Sequence, residues 1–135
     1  MKLNIQENTT MILNRKRKEK SMNKEYIENW LNKLKEYWFN QDIVNATSLF
    51  KNTTFYQETP FLKPYTTFEE IVEEWKHIKE ENIKKINFKI LAIDNFTIIV
   101  EWYLEQNEEI YDGIYEIKFN NNLECTYFKS WEMIK

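Results

Sequence analysis

The chain has 135 residues, of which 42% are hydrophobic and 16% aromatic, and its 22 acidic and 19 basic residues leave a formal net charge of −3. This fits one domain with a sizeable core and excludes a disordered chain. A single cysteine, Cys125, and a single histidine, His77, exclude an intramolecular disulfide and argue against zinc sites and Ser-His-Asp triads, so no metal and no cofactor is expected.

Charge divides the chain. Residues 1–21 hold six basic and two acidic residues, the remainder 13 and 20. Residues 1–22 read as a basic extension (disordered, upstream of a true start at Met22, or a basic tail for nucleic acid or membrane lipid) and residues 23–135 as the domain. The acidic body argues against nucleic acid as a partner, because phosphate contacts need clustered Lys and Arg. No apolar run reaches the ~18 residues of a membrane span, so no membrane partner is expected. No secretory signal is visible, and a cytoplasmic location is the expectation.

In residues 23–40 the apolar positions Tyr26, Ile27, Trp30, Leu31, Leu34, Tyr37 and Trp38 recur at helical spacing. Asp42 reads as the N-cap of a short helix over 43–50. Residues 53–59, rich in Thr and aromatics, read as a strand, and Pro60 and Pro64 bracket a loop. Thr67 with Glu70 three residues on forms a capping box that opens a helix to about 81, with Ile71, Trp75 and Ile78 along one side.

Beyond Asn82 the period becomes two. Strands are expected over 86–93, 97–105, 110–119 and 123–131, with turns at Asp94-Asn95, Asn107-Glu108 and Asn121-Asn122. Helices first and a long antiparallel meander after make the class α+β, with helices on one face of a bent sheet. A two-residue turn at Asn107-Glu108 places the chain's one glycine, Gly113, opposite Trp102, where a bulky indole needs room. One sheet face then carries Ile98, Val100, Trp102, Leu104, Tyr111, Gly113, Tyr115 and Ile117, and this face is expected inside. A second two-residue turn at Asn121-Asn122 would pair Tyr115 with Phe128, Ile117 with Thr126 and Gly113 with Ser130, adding Thr126, Phe128 and Ser130 to that face.

Several stretches, in order, resemble the SnoaL-like branch of the nuclear transport factor 2-like (NTF2-like) superfamily. They are Asp42 to Leu49-Phe50, Phe55-Tyr56-Gln57-Glu58-Thr59-Pro60-Phe61, Phe68 to Ile71 to Trp75, Ile99-Val100-Glu101-Trp102, Asp112-Gly113-Ile114 to Phe119, and Cys125 to Phe128 to Trp131. The resemblance implies a cone-shaped α+β barrel with an internal pocket and a homodimer through the outer sheet face. In the ketosteroid isomerase branch, a first-helix tyrosine donor falls on Leu34, the carboxylate base on Glu58 or Thr59, and the second acid near Tyr115. In the limonene-epoxide hydrolase branch, an Arg-x-Asp pair falls on Val100 and Trp102, and a last-strand aspartate near Ser130. Both catalytic sets are largely missing.

Glu58 is the candidate for chemistry, since a carboxylate in an aromatic cavity has a raised pKa and can act as a general base. Against this stands a plain strand-end carboxylate, in solvent or paired with Lys63. Trp38, Tyr56, Trp75, Trp102, Tyr115, Phe128 and Ser130 are the candidate ligand-binding residues, against the alternative that they only fill the core. Glu101 and Asp112 read as outer-face residues and His77 as an exposed helix residue. The leading expectation is a domain that binds a small, largely apolar molecule. The alternatives are a cofactor-free isomerase, lyase or hydrolase with Glu58 as base and Tyr56 or Tyr115 as donor, and a non-catalytic dimerisation module.

Overall fold

A computed structural model describes residues 22–133; the basic segment 1–21 lies outside them. Helix α1 spans Lys24–Phe39, with the Asn23 side chain accepting from the Glu25 amide at its start. Its buried stripe is Ile27, Trp30, Leu31 and Leu34. Gln41, at φ 56°, turns the chain, and Asp42 caps α2, Ile43–Ser48. Strand β1 is short, Phe55–Gln57. The expected capping box is present: Thr67 accepts from the Glu70 amide and Glu70 reaches back to the Thr67 amide. Helix α3 covers Phe68–Trp75, and a 3-10 segment, Lys76–Glu80, continues it. Four long strands follow: β2 Ile83–Asp94, β3 Thr97–Gln106, β4 Glu109–Phe119 and β5 Cys125–Glu132.

The five strands form one curved sheet in the order β1-β5-β4-β3-β2. Only the β1–β5 pair is parallel; the long strands form an antiparallel meander. Bulges between Ile83 and Lys85, Ile90 and Ala92, and Lys118 and Phe119 help to bend it. The sheet stays open at β1 and β2, and with the helices against its concave face it makes an α+β cone rather than a closed barrel.

The β3–β4 register is as expected. Asn107 and Glu108 both have positive φ, 50° and 64°, as a type I′ turn requires, and Trp102 pairs with Gly113. A Cβ on Gly113 would lie 2.8 Å from the Trp102 ring and 2.2 Å from the Trp131 carbonyl oxygen. The β4–β5 register differs by two: Tyr115 pairs with Ser130, Ile117 with Phe128 and Gly113 with Glu132. Asn120 and Glu124 close the loop in place of Asn120 and Leu123, because Leu123 takes the left-handed conformation (φ 62°) and the Asn120 side chain accepts from the amides of Asn122 and Glu124. The bulge at Lys118/Phe119 adds the second step. Two single steps restore the parity, so Phe128 and Ser130 remain inside, while Cys125 takes the buried position expected of Thr126.

Phe50, fully buried, is the hub of the core. Its ring lies 5.8 Å from Trp30, 5.2 Å from Tyr56, 5.9 Å from Trp75 and 5.1 Å from Phe128. Burying one such side chain stabilises the fold by about 1.5–3 kcal/mol. The cluster joins both helical elements to the sheet and fills the narrow part of the cone.

Candidate functional site

The wide end of the cone is not filled. A cavity of about 260 Å3 opens there between α1, α3, the 3-10 segment and the sheet. Trp38, Tyr56, Glu58, Trp75, Trp102, Tyr115, Phe128 and Ser130 all line it. The structure therefore brings the eight sequence candidates together. It adds Leu34 from α1, Thr59 beyond β1, Glu74 and Ile78 from the α3 arm, His77 and Glu81 beside them, Leu104, Gln106 and Tyr111 from β3 and β4, and Glu132 at the end of β5.

The geometry follows from local sequence. Tyr56 and Tyr65 form an isolated antiparallel bridge, with N–O distances of 2.9 and 2.8 Å, so the loop bearing Pro60 and Pro64 leaves and returns at one point. The capping box then starts α3 two residues later, and Glu74, two turns on, comes back beside Glu58. Gln41 donates from its side-chain amide to the carbonyls of Ile78 and Glu81, at 2.7 and 2.8 Å, fixing the 3-10 segment that carries His77 and the turn that carries Glu81.

Four side chains form a row. Tyr65 donates to Glu74 Oε2 at 2.9 Å, and Tyr56 donates to Glu58 Oε1 at 3.1 Å. Glu58 and Glu74 face each other between them. The neighbours of Glu58 are thus Tyr56 and Glu74 rather than Lys63; among the described residues the ion pairs are Lys24–Glu28 and Lys76–Glu73.

Removal from bulk solvent, the charge of Glu74 and a hydrogen bond that needs the Glu58 proton push Glu58 up to about 8, against the opposing bond from Tyr56. Glu58 presents surface to the cavity and counts as exposed by area, yet protein surrounds its carboxyl almost completely. The surrounding protein sets the direction of the shift; water in the open cavity moderates it. Burial and the Glu58 charge also raise Tyr56 and Tyr115, and burial, opposed by His77 and assisted by Glu74, raises Glu81. The bond to Glu74 and partial burial push Tyr65 to about 12.

Five buried polar side-chain atoms have no hydrogen-bond partner among the described residues: Trp38 Nε1, Trp75 Nε1, Trp102 Nε1, Gln106 Oε1 and Ser130 Oγ. All five belong to residues of the cavity wall. Trp75 Nε1 approaches the Tyr56 hydroxyl without reaching hydrogen-bonding geometry. Such orphans are rare and costly, about 1–3 kcal/mol each, so their concentration in one wall marks it as specialised. Cys125 is a different case: it is buried away from the cavity, and burial raises its thiol to about 12, which makes it an inert core residue. No three His, Cys, Asp or Glu side chains among the described residues converge as a metal site would need.

Solved structures share this fold. An NTF2-like protein of unknown function from Shewanella oneidensis superposes with a TM-score of 0.65 at 15% identity, covering 82% of this chain and 99% of its own. The chain has the NTF2-like fold. A steroid delta-isomerase from Pseudomonas aeruginosa gives a TM-score of 0.60 at 14% identity, covering 82% and 78%. A proposed SnoaL-like polyketide cyclase from Shewanella denitrificans gives 0.58 at 11%, covering 78% and 89%. Neither a protein-family model nor a curated protein matches the sequence. No helix among the described residues is long and apolar enough to cross a membrane.

Three rim residues escaped the sequence reading. Neither Glu74 nor Glu81 stands out in the sequence, and His77 reads there as an exposed helix residue. His77 is exposed, yet it borders the cavity. A signal for the glutamates does exist: Ile71, Glu74, Ile78 and Glu81 follow one helical stripe at spacings of three and four, so two carboxylates share a face with two buried isoleucines.

Proposed function

We propose that this NTF2-like domain holds a small, largely apolar molecule in its aromatic cavity. The carrying observation is that all five unpartnered buried polar atoms among the described residues sit in the wall of one open cavity. A wall built only to close a core leaves no such set. A cavity of about 260 Å3 argues against the reading as a filled dimerisation module; it falls just below the usual ligand range of about 300–1,000 Å3 and so suits only a small molecule. Tyr56, Trp102, Tyr115 and Phe128 offer ring faces for such a molecule. The test is a thermal-shift screen of small apolar compounds against wild type and Trp102→Leu. A ligand at 100 times its Kd stabilises by about 2.7 kcal/mol. Hits on wild type that weaken in the variant support the reading, and a screen without hits counts against it.

A second reading is favoured by one observation, the late-titrating Glu58 bonded to Tyr56. In it the domain is a cofactor-free isomerase, lyase or hydrolase. Glu58 ionises as a base only in roughly one molecule in ten at pH 7 when its pKa is near 8, and otherwise donates a proton. Tyr115 supplies a second hydroxyl on the wall. A proton-abstraction reaction through Glu58 would accelerate as pH rises through about 8 and would be lost in Glu58→Gln with binding retained. A substrate turned over equally by Glu58→Gln removes this reading.

A further inference from the structure

The cavity has two zones. Its floor is apolar: Leu34, Trp75, Trp102, Tyr115 and Phe128 are buried there, with Ser130 the one buried hydroxyl on the last strand. Its rim is acidic: Glu58, Glu74, Glu81 and Glu132 border the cavity with only His77 beside them, and no lysine or arginine lines it. Glu58 and Glu74 face each other, and the Glu74 charge helps burial to raise Glu58. Resting on the reading of the cavity as a ligand pocket, we propose that its occupant is a small apolar amine. Its ammonium lies among the rim glutamates and beside the aromatic rings; its hydrocarbon body lies on the floor.

Three observations converge on a cation. The rim carboxyls outnumber their one basic neighbour, His77, and so lower the potential there, and the acidic body of the protein adds to it. Tryptophan and tyrosine faces attract an ammonium through their ring quadrupoles, an attraction that strengthens where water is excluded. A positive charge beside Glu58 also favours its ionised form, offsetting the burial and the Glu74 charge that raise it. The orphaned Ser130 Oγ and Trp102 Nε1, both on residues more than nine-tenths buried, require in addition an acceptor or a water deeper in the cavity, which suits an amine bearing an oxygen. A metal ion does not fit, since no three ligating side chains converge. An anionic ligand meets four glutamates.

The test is a matched series: 2-phenylethylamine, 2-phenylethanol and phenylacetate, titrated by calorimetry and by tryptophan fluorescence. The amine is expected to bind about tenfold or more tightly than the alcohol, with phenylacetate weakest. Glu74→Gln and Glu81→Gln are expected to reduce amine affinity about threefold or more each while leaving alcohol affinity unchanged, and the alcohol thereby reports that the variants are folded. Equal affinity of amine and alcohol overturns the cation preference and leaves the pocket intact. Absence of binding by all three at millimolar concentration overturns both.

Discussion

Glu58 sits between a tyrosine that donates to it and a glutamate that repels it. Loss of solvent and the Glu74 charge outweigh the Tyr56 bond, and the balance settles near 8. The folded protein therefore holds this proton more tightly than the unfolded chain does. The stabilisation is complete below about 4.5 and fades as pH rises to about 8. Glu58→Gln keeps a neutral side chain beside Tyr56, Glu74 and Glu81 at every pH. Relative to wild type, it is expected to gain a few degrees in Tm as pH rises across that window, the gain being limited by water in the cavity. Melting curves at half-unit pH steps check this, and a pH-independent difference would place Glu58 in plain solvent contact. At this scale the sequence was informative about single residues on strands, where alternation separates wall from surface. It was poor at the α3 arm. There Glu74 and Glu81 do not stand out, because most helical glutamates face solvent. Only the return of the loop at the Tyr56–Tyr65 bridge turns their stripe toward Glu58.

At the scale of elements, Gly113 decides the shape of the sheet beside the cavity. Two neighbours leave it no room for a side chain: the Trp102 ring and, more tightly, the Trp131 carbonyl. The ring can rotate or be trimmed; the carbonyl belongs to β5 and moves only with the strand. Gly113→Ala is therefore expected to destabilise by about 1–3 kcal/mol or more, and adding Trp102→Phe to recover only part of the loss. Urea melts of both variants measure it, and full rescue by the double variant would show that Trp102 alone constrains the site. The Gly113–Trp102 pairing was legible because alternating residues flank a two-residue turn on both sides, fixing the register within narrow limits. The β4–β5 register was not, because Asn120 builds a wider loop with its own side chain and the bulge is silent in the pattern. Phe128 and Ser130 still face the cavity because the two errors are each one residue and cancel in parity.

For the whole molecule, the helices cover one face of the sheet and leave the other open. Along β3 and β4 that outer face carries Ile99, Tyr103, Ile110 and Ile114 with Glu101, Asp112 and Glu116, and Trp131 stands beside them on β5. Ile110 is 46% exposed, and Ile99, Tyr103, Ile114 and Trp131 are half-buried. A face mixing aliphatic, aromatic and charged residues in this way has the composition of a protein interface rather than of an edge kept in water. Ile114 pairs with Glu101 on β3 and with Trp131 on β5, so it stands where the apolar and acidic parts of this face meet. The expected state is a homodimer of twice the 16.8 kDa chain mass. Ile114→Glu adds a further carboxylate beside Glu101, Asp112 and Glu116 on that face, and across a two-fold axis the repulsion is counted twice. Light scattering after gel filtration should then report a dimer for wild type and a monomer for the variant. The cavity lies on the opposite face, so probe binding should survive in that monomer. A wild type that is monomeric at high micromolar concentration would make the outer sheet a solvent face.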